Sequence, residues 1–360
     1  CGEQFPLFRQ SSSEQWTLSR RGSWLGGFWA GLWWRRALIS GQEQDREQAL
    51  NWSQKLQVWL EEPSINRSFV FWYGSGLGSI WHGDREAEAH VDQAAQALLN
   101  SFDASSGFWP LGSGMGGGEA GNHILNVDAL APTLLVLDAQ GGPVARQFGQ
   151  WHVDACLRYL QKRSGAWRDT VLLRGNDVLA EQGAETWQRG QAWAMLGMAT
   201  ATRLYDRKSY AQAALNACRY WHERWGKFAH GFLTQESPLS PVDRSAWAIA
   251  SLAMYELWQI LPEQQWLHEQ SRLYLDALLT PELSETGRFV GHLYKVAPGQ
   301  SELVESACAS FFLLEALLAW VAADDCRSAL PELRSLVRDR STDLELWHSR
   351  SVCATRLGFA

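Results

Sequence analysis

Amphipathic segments recur along this chain in pairs, each pair split by a short break and followed by another. Apolar residues repeat with the helical period over about 24–40, 43–60, 68–82, 84–101, 125–140, 143–163, 187–205, 207–226, 242–261, 263–280, 302–323 and 326–340. The breaks fall at Gly41, Gly83-Asp84, Gly141-Gly142-Pro143, Asp206 and Leu261-Pro262, residue types that stop or start helices. The first segment of a pair is often richer in Gly, Ala and Trp. The second tends to carry more charge, as in Asp84-Arg-Glu-Ala-Glu-Ala-His-Val-Asp92. A less polar helix belongs inside a structure and a charged one on its surface, so the pairs predict two concentric layers. Six pairs closed into a ring give an all-α fold, an (α/α)6 barrel or six-hairpin toroid; an open α-solenoid is the alternative. Longer Gly- and Trp-containing connections at about 102–124, 164–186, 226–241 and 281–301 favour the closed form, because they can wall one mouth of a barrel. Within the last of them, Arg288-Phe-Val-Gly-His-Leu-Tyr-Lys295 reads as a short hairpin arm. The expected organisation is a tail over 1–20, one barrel domain over 21–345 and a second tail over 346–360.

Composition narrows the function classes. Among 360 residues there are 21 Trp, and several sit beside glycine, as in Ser23-Trp-Leu-Gly-Gly-Phe-Trp-Ala-Gly-Leu-Trp-Trp34. Tryptophan is an awkward filler for a plain core, and such stretches suit the lining of a pocket. The net charge of −7, from 32 basic against 39 acidic residues, comes without a long basic run and argues against nucleic-acid binding. No apolar run approaches the roughly 20 residues of a membrane span. The Gly112–Gly118 run lacks the Lys-Ser/Thr of a phosphate loop and reads as a flexible rim.

Six cysteines are present, and none forms a Cys-x-x-Cys pair, so neither a zinc cluster nor another metal or cofactor is expected. Cys156, Cys218 and Cys308 lie in apolar helical patterns as buried thiols. Cys1-Gly2, with a Ser/Gln-rich stretch to Gln15, resembles a mature bacterial lipoprotein after signal removal. The expectation is a lipid anchor at Cys1 and a periplasmic or outer-membrane location, with a cytoplasmic location as the alternative.

The chemically densest stretch is Glu185-Thr-Trp-Gln-Arg-Gly-Gln-Ala-Trp-Ala-Met-Leu196. Thr186 fits an N-cap, and Gly190 early in the helix implies close approach of another group. Arg189 and Trp193 share one face, as do Trp187 and Gln191. An arginine beside aromatic planes suits a ring compound that carries a carboxylate. A buried aromatic stripe with a snorkelling arginine is the competing reading.

The order of motifs resembles the unsaturated glucuronyl hydrolases and the related unsaturated rhamnogalacturonyl hydrolases. Thr186-Trp-Gln-Arg-Gly-Gln-Ala-Trp193 matches the family's W-x-R-G-Q-A-W signature without a gap. Gly26-Gly-Phe-Trp-Ala-Gly-Leu-Trp33 resembles its first inner helix, and Asn126-Val-Asp-Ala-Leu-Ala-Pro-Thr-Leu-Leu135 its I-D-N-containing helix. Pro241-Val-Asp-Arg-Ser-Ala-Trp-Ala-Ile-Ala250 and Glu305-Ser-Ala-Cys-Ala-Ser-Phe-Phe-Leu-Leu-Glu-Ala-Leu317 resemble two further segments in the same order. The resemblance implies an α/α-barrel glycoside hydrolase, independent of metal, that removes a 4,5-unsaturated uronic acid from lyase-generated oligosaccharides. A carboxylic acid protonates C4, water adds at C5, and the hemiketal opens to release the leaving sugar. It implies Asp128 as one carboxylate and Asp169 or Asp177 as its partner. Trp29, Trp187 and Trp193 would stack on sugar, and Arg189 would bind the uronate carboxylate. His123, Gln182, Gln191, Asp243 and Ser245 complete the implied substrate contacts. The 165–185 stretch departs from the family pattern: it is shorter, Trp167-Arg168 replaces a Tyr-His pair, and Glu181 stands where a histidine precedes Gln182-Gly183. Two other functions follow from the same fold class. One is a sugar epimerase, for which the nine histidines show no obvious pairing. The other is a carbohydrate-binding lipoprotein that lost a catalytic acid.

Overall fold

The computed structural model describes residues 3–174, 177–181, 187–226, 242–297 and 299–323. Cys1, Gln182, Thr186, Cys326, Cys353 and the expected helix over 326–340 lie outside the described residues. Most of the rest is helical, and the pairing read from the sequence is present. Inner helices α1 (Gly26–Ser40), α6 (Leu130–Gln140), α8 (Gln188–Tyr205), α10 (Arg244–Ile260) and α13 (Ala307–Ala323) are largely buried. Outer helices α2 (Glu43–Lys55), α5 (Arg85–Asn100), α7 (Pro143–Tyr159), α9 (Lys208–Arg224) and α11 (Gln265–Leu278) bury one stripe each, and a short helix α12 (Pro281–Thr286) follows α11. Asp84 caps α5 by accepting from the Glu86 and Ala87 N–H groups, at 3.1 and 3.0 Å.

The second inner helix is broken into α3 (Arg67–Phe71), a π-helical turn over Trp72–Gly76, and α4 (Leu77–His82). The turn leaves the Gly74 carbonyl accepting from Trp34 Nε1 at 2.8 Å and from Ser53 Oγ, which ties it to α1 and α2.

The ring closes. Helix α1 packs directly against α13. Phe28 meets Phe311 and Phe312 at ring-centroid distances of 5.7 and 5.6 Å, and Arg35 forms an ion pair with Glu315. Two small antiparallel sheets stand at the mouth where the inner helices begin. One has the order β2 (Thr17–Ser19), β1 (Phe5–Gln10), β7 (Gln300–Ser306), β6 (Val290–Ala297). The other has β3 (Ile124–Asn126), β4 (Thr170–Arg174), β5 (Asp177–Glu181). The 288–295 hairpin is therefore real, as β6 with β7. Residues 5–19 are not a free tail: Phe8 pairs with Ser306, and Arg9 bridges to Glu305 at 2.6 Å. The strands also shorten two expected helices. Helix α6 starts at Leu130 and α13 at Ala307, because Ile124–Asn126 and Gln300–Ser306 place their backbone groups in sheets. Among the described residues no helix is long and apolar enough to cross a membrane.

Glycine sets the closest helix crossing. A Cβ on Gly27 would collide with the Phe69 carbonyl and lie 2.8 Å from Val70 Cα, so α1 and α3 touch backbone to backbone. Gly27→Ala should cost about 1–3 kcal/mol, since rigid backbone must yield to the added methyl. Urea unfolding measures it; an unchanged midpoint would show that the crossing relaxes freely.

Candidate active site

The mouth lined by the two sheets gathers the charged groups singled out in the sequence. Asp128 lies between β3 and α6, its N–H donating to Asn126 Oδ1 at 2.8 Å. The residue is half-buried, with Oδ1 itself buried and without a hydrogen-bond partner. Burial pushes its carboxyl up to about 7. Arg189 opposes that rise and Asp169 adds to it. Such a carboxyl holds a proton at neutral pH while remaining able to give it away.

Asp169 reaches the same place through strand pairing. β3 and β4 run antiparallel with Asn126 opposite Thr170, and the Val127 N–H donates to the Asp169 carbonyl at 3.1 Å. The half-buried Asp169 carboxyl is raised by burial, against its own N–H and that of Thr170, which favour its charged form. It rests on the first turn of α8. A Cβ at Gly190 would come within 3.0 Å of the Trp187 ring and 3.2 Å of the Asp169 Cβ, so Asp169 and Trp187 both crowd this early glycine. Asp177 lies at the far end of the hairpin, opposite Arg174 and exposed. Five residues of strand, about 16 Å, separate the two aspartates.

Arg189 is buried and shared. Its Nη1 pairs with Asp243 at the start of α10 and donates to the Leu293 carbonyl of β6 at 3.2 Å, while its guanidinium lies 4.4 Å from the centroid of the Trp187 ring. A buried arginine so engaged is a different object from the open clamp for a substrate carboxylate expected above. Asp243 and Ser245 belong to this network rather than to a sugar-facing surface: Ser245 Oγ donates to Asp243 Oδ1 at 2.5 Å, and both residues are buried.

Three further expectations meet the core. Gln191 is fully buried, and its amide is spent on the chain. Its Oε1 accepts from the Trp167 N–H at 2.8 Å, and its Nε2 donates to the Gly165 and Ala217 carbonyls at 3.1 and 3.2 Å. It fixes the segment that leads into Asp169. Trp193 packs between Phe69 and Phe312 at 5.3 and 5.1 Å and is 2% exposed. Trp29 faces Trp33 and Trp52 between α1 and α2. Helical spacing placed these side chains correctly on the inner helices, but their neighbours are other side chains. Trp187, half-buried, is the signature tryptophan with an accessible face; His123 is exposed beside β3, and Gln182 falls outside the described residues.

One residue was missed. His292 of β6 is fully buried, with Nδ1 2.6 Å from Ser306 Oγ and Nε2 without a partner. Burial, and then the charge of Arg189, hold its pKa well below the usual range, so the ring is neutral. The alternating hairpin pattern of 288–295 was its only signal. Among the described residues no cluster of His, Cys, Asp or Glu is arranged to hold a metal ion.

No family model matches the sequence. The chain is 25% identical over 297 residues to the unsaturated glucuronyl hydrolase of Bacillus sp. (strain GL1), covering 78% of each protein. The crystal structure of the Bacillus enzyme superposes with a TM-score of 0.77 at 23% identity, covering 88% of this chain and 91% of that one. An unsaturated glucuronyl hydrolase specific for heparin superposes at 0.76 with 16% identity, covering 89% and 91%. That of Streptococcus agalactiae superposes at 0.72 with 19% identity, covering 88% and 85%. These structures share the α/α-barrel fold of this chain, and the resemblance carried by the motifs extends over most of its length.

The Asp128 carboxyl also links stability to pH. Its folded pKa is raised, so its contribution is most favourable below the ordinary aspartate range and is lost as pH rises through about 7. Asp128→Asn should therefore gain stability over the wild type between acid and mildly alkaline pH, by roughly 2–4 kcal/mol if the site stays dry. Paired urea melts across that range test this; a pH-independent difference would place Asp128 in water.

Proposed function

We propose that this chain, a relative of the unsaturated glucuronyl hydrolases in sequence and fold, hydrates the C4=C5 double bond of an unsaturated uronyl residue and so releases it from an oligosaccharide. The observation that carries this reading is the Asp128 carboxyl, with Oδ1 buried and unpartnered and a proton to give at neutral pH, beside a second carboxyl. An enol ether needs a proton donor at C4 and then a base for the water that adds at C5. Asp128 serves as both. It gives its proton to C4, the ring oxygen shares the positive charge left at C5, and water attacks there while returning a proton to Asp128. The hemiketal then opens and the leaving sugar departs, with the carboxyl restored to its starting state.

Asp169 keeps the proton on Asp128 by its proximity, and its carboxylate holds a sugar hydroxyl. Trp187 offers a face to the sugar ring. Arg189, fixed by Asp243, is a positioning residue. Its charge limits how far the Asp128 pKa climbs, so the acid stays able to release its proton.

Lyase-generated unsaturated disaccharides test the reading directly, because hydration abolishes the ultraviolet absorbance of the conjugated bond. Steady loss of that absorbance is expected. Binding with unchanged absorbance would instead favour the carbohydrate-binding alternative, and sugar inversion with unchanged absorbance an epimerase. Asp128→Asn should lower turnover by about 10²-fold or more, and Asp169→Asn should also impair it, while Asp177→Asn stays near wild type. A crippled Asp177 variant beside an active Asp169 variant would reverse the assignment.

The acid form of Asp128 is the working form. The rate should therefore fall as pH rises through about 7. A rate that climbs through the same window would remove Asp128 from the role of proton donor.

A further inference from the structure

A second cavity opens among the inner helices, lined by none of the Asp128, Asp169, Arg189 and Asp243 side chains. Its volume is about 350 Å³, within the range of small-molecule pockets. Trp72, Ile80, Leu135 and Leu252 supply an apolar wall, with Tyr73, Phe311 and Phe312 buried behind it, and Glu256 faces into the same space. The charged groups around Glu256 come from three neighbouring helices: Asp138 of α6, Arg203 of α8 and Glu315 of α13. Glu315 is spoken for by Arg35, whose guanidinium also lies 3.8 Å from the centroid of the Trp81 ring. Glu256 has no hydrogen bond or ion pair among the described residues. Nor has the Tyr73 hydroxyl, although Tyr73 is only 5% exposed. With the Arg35–Glu315 pair neutral, Asp138 and Glu256 outweigh Arg203 by one negative charge.

Glu256 is half-buried with no hydrogen bond to its carboxylate, and an apolar ligand would strip water from it at a cost. An anion would be repelled. A divalent metal ion would need several converging oxygens, and no such cluster occurs among the described residues. An apolar lining that includes one indole, set beside a carboxylate with unused acceptors, suits an organic cation. We propose that this cavity binds a small organic ammonium ion, its apolar part against Trp72, Ile80, Leu135 and Leu252 and its charge beside the Glu256 carboxylate. This site is separate from the Asp128 mouth and does not depend on the reaction there.

Burial pushes the Glu256 carboxyl up to about 7, with Arg203 opposing and Glu315 adding to the rise. Cation affinity should therefore increase as pH rises through that value, because the carboxyl must lose its proton.

Isothermal titration of the full chain with benzyltrimethylammonium, and with benzyl alcohol as the uncharged comparison, tests the site. The cation should bind about tenfold more tightly than the alcohol above pH 7. Glu256→Gln should weaken it by about tenfold, whereas Arg203→Gln at the exposed rim should tighten it. A saturating unsaturated disaccharide should leave the isotherm unchanged. Three results would each overturn the proposal: no binding of the cation at about 10 mM, equal binding of the two probes, or variants that shift affinity in the same direction. Arg203→Gln keeps the test decisive should Glu256→Gln fail to fold.

Discussion

The Arg189–Asp243 ion pair is the interaction on which the site mouth depends. It joins the first turn of α8 to the start of α10, and through the Leu293 carbonyl it holds β6 as well. Three separate parts of the ring are thereby fixed around one buried positive charge. Breaking such a pair leaves a charge without a partner, which costs far more than the pair itself contributes. The same charge is felt at Asp128 and at His292. Asp128 would be harder to ionise without it, and His292 easier to protonate. One arginine therefore sets both the geometry and the protonation of the mouth.

A second fixed point lies behind it. Gln191 has its whole amide committed to the Gly165 and Ala217 carbonyls and the Trp167 N–H, so the loop entering β4 has little freedom. The absent side chain of Gly190 then leaves room for Asp169 against the helix. Consecutive signature residues thus do different work: Trp187 offers a face, Arg189 supplies charge, Gly190 supplies space and Gln191 supplies tethers. A site built on helix starts and strand ends, and locked by neighbours, holds its groups more precisely than free loops would.

This division explains what the sequence could and could not reveal. The ring of paired helices was legible because helical periodicity and glycine breaks are local signals that repeat. The W-x-R-G-Q-A-W segment was legible as a site for the same local reason. Choosing between Asp169 and Asp177 required the register of β3 on β4, a pairing between segments 44 to 48 residues apart with no signal in either. The sheet that takes in residues 5–19 was hidden more deeply, since Phe8 finds Ser306 near the other end of the described chain. Trp29 and Trp193 were misread because spacing places a side chain on an inner helix without saying what lies opposite. For Trp193 the answer was Phe69 and Phe312.

The two sites follow a common electrostatic pattern with different constraints. At each, a carboxyl is lifted to about 7 by burial, restrained by an arginine and raised further by a second acid: Asp128 with Arg189 and Asp169, Glu256 with Arg203 and Glu315. The difference lies in the arginine. Arg189 is buried and anchored by Asp243, so its field on Asp128 is constant, as a proton-transfer site requires. Arg203 is exposed and makes no ion pair among the described residues, so it can move and its field is screened by water. An anchored countercharge suits chemistry, where reorganisation adds to the barrier. A movable one suits binding, where the pocket must accommodate an arriving cation. The same inward-facing helices thus build a rigid polar mouth at their N-terminal ends and an adaptable acidic cavity further along their length.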